Sequence, residues 1–260
     1  LERDLNRCFR PEIIDSVRKT EDALLSVEEM ELRSFVEAFD EQIRLARGPV
    51  IVLDLHTVSA PSPPFAGVED SIPARTFARR FGLPIILGLE EELNGLLMDW
   101  TTSARGCVSM VVEGGAHDDP RSIDVLEAVI RIAMDAAGIL TLADDADRHD
   151  PRALLREAAG ERAGRVYDVR HREGVRAPDF LVKASLRAFD RVRAGDVIGS
   201  ERRRPIVAPT SGLLFMPNRQ RVRRIGDDAY FLVRHVGWAW LWLSARLRRR
   251  AWIHRALPRV

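Results

Sequence analysis

Three short stretches hold side chains whose types and spacing offer chemistry. In VIVLDLHTVSAPSPPF, residues 50–65, an apolar run passes into Asp54 and His56 and then into a loop with prolines at 61, 63 and 64. Residues two apart on an extended strand share a face, so the Asp54 carboxylate stands beside the His56 imidazole. An imidazole can bind a metal through one nitrogen while a carboxylate orients the ring. Alternatively His56 is a hydrogen-bonded histidine at a strand end, with Asp54 serving nearby backbone. In SMVVEGGAHDDP, residues 109–120, a second apolar run ends at Glu113, followed by Gly114 and Gly115. A carboxylate placed there beside a metal can take a proton from bound water; it is otherwise a solvated strand-end acid. The glycines permit a sharp turn or a close backbone approach to a ligand, and His117, Asp118 and Asp119 read as loop and helix-entry residues. In RDLNRCF, residues 3–9, Asn6 and Arg7 are adjacent. A guanidinium fork with a neighbouring amide suits a carboxylate, although the same pair is at home on a solvated surface.

The elements that must position these groups follow from patterning. Residues 26–46 predict a helix: Ser26 can cap, Glu29 completes a capping box, and Leu32, Phe35, Val36 and Phe39 recur at helical spacing. Gly48-Pro49 ends it, and Val50–Leu53 open a run of the kind found in strands covered on both faces. PIILGL (84–89) and CVSMVV (107–112) read as further strands, EEELNGLLMDW (90–100) as one helix, and residues 122–138 as an amphipathic helix ending at Gly138. Alternation of strands and helices predicts an α/β part over residues 1–145 with a mixed, partly parallel sheet flanked by helices. Ligands in such sheets gather beyond the carboxyl ends of strands, where His56 and Glu113 are expected. Residues 146–164 read as a junction, residues 165–235 as a smaller β part of short strands, and residues 236–260 as a Trp- and Arg-rich helical tail.

Taken together, R-D-L-N-R-x-F, an apolar strand into D-L-H-T, and an apolar strand into E-G-G occur in an order that resembles the succinylglutamate desuccinylase/aspartoacylase family of zinc carboxypeptidase-like hydrolases. The motifs span residues 3–140, and RAGDVIG and IVAPTSGLLF resemble that family's C-terminal segment more loosely. The resemblance implies one catalytic Zn2+ with His56 as a ligand, Glu113 as the residue that activates water, and Asn6 and Arg7 as the grip on a substrate carboxylate. It also suggests Arg105 as a further carboxylate or oxyanion contact, at a poorly fitting spacing. The implied reaction is hydrolysis of an N-acyl amino acid or similar small amide. Such a reading requires His56 and Glu113 to face one cavity.

The resemblance also implies two more zinc ligands in an H-x-x-E motif upstream of D-L-N-R. Five residues precede Asn6, and none of the other five histidines (117, 149, 171, 235, 254) begins an H-x-x-E. A catalytic zinc takes three protein ligands, so the chain as written is expected to be inactive as a zinc hydrolase. An α/β part that is incomplete at its N-terminus is the expected explanation, and a degenerate, non-catalytic relative acting as a carboxylate-binding or assembly module is the alternative.

Composition sets the remaining bounds. Hydrophobic residues make up 46% and charged residues 30% of 260, the profile of a globular protein with a core. Two cysteines are too few for a disulfide framework and point to a reducing, cytoplasmic setting. Residues 201–260 carry fourteen arginines against Glu201, Asp227 and Asp228. In the tail, Trp238, Trp240, Trp242 and Trp252 lie among six of those arginines, and VGWAWLWL is far shorter than the roughly 20 residues of a membrane span. The tail is expected to pack on the β part or a second subunit, with an anionic membrane surface as the alternative. No reader motif for nucleic acid is present, and none is expected as a partner.

Overall fold

The structure, a computed structural model, describes residues 4–142, 150–237 and 241. The chain begins with a 3-10 turn, Leu5–Arg7, anchored by the Asp4 carboxylate accepting from the Asn6 backbone N–H at 2.9 Å. Two helices follow. α1 (Pro11–Lys19) opens on proline, whose missing N–H costs nothing at that position. α2 (Val27–Leu45) starts at Ser26 with the reciprocal Ser26–Glu29 capping box. Leu32 and Val36 of α2 bury against Phe9, Ile14, Val17 and Trp100, whereas Phe35 stays 40% exposed.

The sheet strands then alternate with helices: β1 (Ile51–Val58), β2 (Phe65–Gly67), α3 (Ile72–Ala78), β3 (Ile85–Leu87), α4 (Leu89–Glu92), α5 (Leu97–Arg105), β4 (Val108–Ala116), α6 (Arg121–Ala136), α7 (Pro151–Ala159) and β5 (Val166–Gly174). Further strands follow: β6 (Leu181–Val182), β7 (Arg191–Val192), β8 (Val197–Glu201), β9 (Arg204–Val207), β10 (Gly212–Phe215) and β11 (Asp228–His235). Eight of them form one sheet in the order β1-β4-β2-β3-β5-β11-β10-β7, and β6-β8-β9 form a second. The large sheet is mixed and partly parallel, as the alternation predicts: β1 with β4, β2 with β3 and β3 with β5 are parallel, and the other pairs are antiparallel. Because β5 pairs with β3 on one side and β11 on the other, the sheet runs without a break from the predicted α/β part into the predicted β part. The expected junction contains α7, capped by Asp150 and seated through Leu155 against α6.

Two layers of apolar side chains cover the sheet. Met110, Val112, Ile85 and Leu87 face Phe77, Phe81, Val129, Ile132 and Leu155 of the helices. Phe65, Ile86 and Tyr167 face Leu93, Leu96, Met98, Phe189 and Phe215 on the other side. Each fully buried Val, Leu, Ile or Phe contributes about 1.5–3 kcal/mol relative to exposure, so these layers fix which residues of each strand face which way.

Three expectations need correction. β1 is an edge strand and only half-buried, not covered on both faces. It also continues through His56 to Val58, and its β-bulge lies between those residues. The loop prolines lie in the short unpaired stretch between β1 and β2. Finally, residues 90–100 are not one helix. Gly95 has φ +77° and separates α4 from α5, because the chain there lies so close to the N-terminal turn that a β-carbon would overlap the Arg7 carbonyl. That contact, with Phe9 N–H donating to Gly95 O at 3.1 Å, seats the turn carrying Asn6 and Arg7 over the sheet. The tail falls almost wholly outside the described residues; Val236 and Leu241 pack in the helical-side core.

Candidate active site

Period-two alternation puts Asp54 and His56 on the α5 side of β1, and parallel register places His56 directly opposite Glu113. His56 and Asp54 are joined by a hydrogen bond of 2.6 Å between Nε2 and Oδ1. The other Asp54 oxygen accepts from Asn6 Nδ2 at 3.0 Å. Asn6 Nδ2 lies 3.3 Å from His56 Nε2; with both atoms donating to Asp54, this is a close approach of two donors to one carboxylate. The opposite end of the Asn6 amide, Oδ1, accepts from Leu97 N–H at 2.8 Å and so caps α5 from a distance. Asn6 is thus engaged at both ends as a clamp between β1 and α5. The hydrogen bond that His56 donates to Asp54 holds the imidazole above its ordinary pKa, despite burial and with help from the Asp54, Glu113 and Asp4 charges.

Glu113 is 9% exposed, and its Oε2 has no hydrogen-bond partner among the described residues. Burial pushes its carboxyl up to about 7; the Asp54 charge adds to the rise and His56 opposes it. A carboxylic acid that titrates near neutrality in a half-closed space is suited to proton transfer. The two glycines after it serve packing and the turn. A β-carbon on Gly114 would come within 2.7 Å of the Leu126 side chain on α6, and Gly115 adopts φ +133°.

Glu113 lines a cleft of about 470 Å³, whereas His56 and Asn6 are not among its lining residues; His56 stands beside Glu113 at its edge through the β1–β4 register. The N-terminal turn, the loop after β1, the α4–α5 connection and residues 216–228 enclose it. Ser59, Ala60 and Ser62, interleaved with the prolines, line its wall, and Ser59 Oγ accepts from Arg219 N–H at 3.2 Å. Arg7 lines the cleft and pairs with Asp228 at 3.2 Å. Asp228 also pairs with Arg172, whose Nε lies 2.6 Å away. Sequence reading missed both of these residues, because nothing in RHREG or GDDAY marks either strand as facing the first 120 residues. His117, read as a loop residue, also lines the cleft and bonds Thr57 Oγ1 through Nδ1 at 2.7 Å. Arg105 is elsewhere: it sits at the far end of α5, bonded to Asp40 at 2.6 Å and lying over the Trp100 ring. The helix carries it to the opposite end of β4 from Glu113, so it contacts no part of the cleft.

No protein-family sequence profile and no curated protein matches the chain. Solved structures do. The succinylglutamate desuccinylase/aspartoacylase structure from Rhodobacter sphaeroides superposes over 90% of this chain and 68% of its own, with a TM-score of 0.59 and 19% identity. The succinylglutamate desuccinylase from Vibrio cholerae covers 91% and 66%, at 0.57 and 19%. The product-bound ectoine utilization protein EutE from Ruegeria pomeroyi covers 88% and 67%, at 0.57 and 16%. The chain has the succinylglutamate desuccinylase/aspartoacylase fold. It spans about two thirds of the length of the solved structures with that fold.

Within this fold the donor set decides whether a zinc ion can be held. Among the described residues no group of three His, Cys, Asp or Glu side chains is arranged to hold a metal. His56 offers one imidazole, and its Nε2 is already spent on Asp54. The described residues therefore do not fit the zinc that the resemblance implies. Cys8 and Cys107 are buried and form no disulfide. No described helix is long and apolar enough to cross a membrane.

Proposed function

We propose that the chain is part of a hydrolase that deacylates an N-acyl amino acid or a similar small amide. The observation that carries this reading is the buried Glu113, unpartnered at Oε2, paired in register with His56 and open to a cleft that also holds arginines. The succinylglutamate desuccinylase/aspartoacylase fold supports it. Glu113 takes a proton from water as the water oxygen bonds to the acyl carbon. It then gives that proton to the amide nitrogen as the C–N bond breaks, yielding a carboxylic acid and a free amine. Asp54 and Asn6 fix the imidazole beside this carboxylate, and an arginine of the cleft holds the substrate's carboxylate. Zinc dependence belongs to the proposal only with ligands from outside the described residues, His56 being the single ligand assigned here, and no step above runs through it. The assigned setting is cytoplasmic, in keeping with two cysteines that form no disulfide.

The lack of a three-residue metal group among the described residues favours a second reading, a carboxylate-binding module without turnover. Incubating the purified protein with a panel of N-acyl amino acids in 18O-water separates the two. Hydrolysis releases free amine and places one 18O in the acid product. Binding without release of amine across the panel, with and without added Zn2+, favours the module and refutes the hydrolase.

A further inference from the structure

Arg7, the expected grip on a substrate carboxylate, is largely spent. Its Nη1 donates to the Asn6 backbone oxygen at 2.7 Å and its Nη2 to Asp228 Oδ2 at 3.2 Å. Arg172 is held differently. It donates from Nε to Asp228 Oδ1 at 2.6 Å, and its two terminal nitrogens have no partner among the described residues. Its side chain is 31% exposed, and it lines the same cleft as Glu113. Asp228 is itself fixed: it opens β11, its backbone oxygen accepts from the buried Asn218 at 2.9 Å, and each carboxylate oxygen receives one guanidinium.

We infer that Arg172 is the carboxylate-binding residue of the cleft and Asp228 the residue that positions it. The inference deepens the proposed function and rests on it for the nature of the ligand. A guanidinium restrained through Nε keeps its Nη1–Nη2 edge free, and that edge offers two parallel N–H groups at the spacing of two carboxylate oxygens. Asp228 supplies the restraint from behind, so little side-chain freedom is lost when a ligand binds. The charge around the seat narrows the ligand class. Arg7, Arg10 and Arg172 share the lining with Asp4, Glu92, Asp227 and Asp228, which leaves no positive excess. The seat therefore takes a single carboxylate, as in an N-acyl amino acid with a neutral or cationic side chain, and disfavours a polyanion.

Calorimetric titration of the purified protein with N-acetyl-L-alanine and with the neutral N-acetyl-L-alaninamide tests this. The unaltered protein should bind the carboxylate at least about tenfold more tightly, as expected for a charge-assisted bidentate pair. Arg172→Gln should bring the two affinities within about twofold by weakening the carboxylate alone. Arg172→Lys, which keeps the charge without the fork, should lose at least about threefold of the preference and covers a failure of the first variant to fold. Asp228→Asn should lower the preference while leaving the neutral amide's affinity unchanged. Arg10→Gln removes a charge of the same sign from the cleft wall and should leave clearly more of the preference than Arg172→Gln does. The inference is overturned if the unaltered protein binds neither ligand or both equally. It is also overturned if the preference survives in both Arg172 variants, or if Arg10→Gln erases it as fully as Arg172→Gln. Because the readout is equilibrium binding, a preference lost on Arg172→Gln in a protein that releases no amine contradicts the hydrolase reading and leaves this assignment standing. Turnover with the preference intact in Arg172→Gln does the reverse.

Discussion

His56 and Glu113 face each other across the parallel pair of β1 and β4, one imidazole and one buried carboxyl brought together by strand register alone. A one-residue slip would turn one of them to the helical core on the other face of the sheet. The apolar residues on that face, Met110 and Val112 against Val129 and Ile132, therefore hold the register that creates the site.

The proton-carrying role of Glu113 predicts the pH profile. Its carboxyl is raised to about 7, chiefly by burial, and only the ionised form accepts a proton from water. In a steady-state series, kcat/KM should fall about tenfold per unit below that pH and level off above it. A rate that stays flat down to the ordinary carboxylate range assigns the base to another group.

Asn6 is predicted to matter for stability before it matters for substrate. Asn6→Ala removes the bond to Leu97 N–H that caps α5 and one of the two donors to Asp54. Each such loss costs about 0.5–2 kcal/mol, so urea unfolding should show a loss of about 1–4 kcal/mol. An unchanged unfolding midpoint would mean that the amide is free for ligand instead.

A second group of acids gives stability its own pH dependence. Burial first, and then neighbouring acids, push Glu90 and Asp99 up to about 7. Between the ordinary carboxylate range and 7 the folded chain holds protons that the unfolded chain has released. The contribution of these groups is therefore most favourable at the low end of that window and falls as pH rises through it. Glu90→Gln keeps an acceptor for the Asp70 N–H and should raise the melting temperature at pH 8 by a few degrees, with little change at pH 5. Equal shifts at both values would contradict the assignment.

What the sequence made legible follows its local periodicities. The capping box of α2, the apolar runs of β1, β3 and β4, and the shared face of Asp54 and His56 all depend on residues within a turn or a strand of one another. Register between β1 and β4 depends on distant residues, and so do the edge position of β1 and the seating of Gly95 on the Arg7 turn. Arg105 misled because spacing along a strand says nothing of which end a preceding helix reaches. Arg172 and Asp228 were invisible because only the continuation of one sheet through β5 and β11 carries them to the cleft.

Amine release by the Glu113→Gln variant tests the account most directly. The amide preserves the shape of a side chain already buried and unpartnered at Oε2, so folding should survive while proton transfer stops. The account predicts that kcat falls at least about 100-fold with KM little changed. A variant that hydrolyses N-acyl amino acids at the unaltered rate would contradict it.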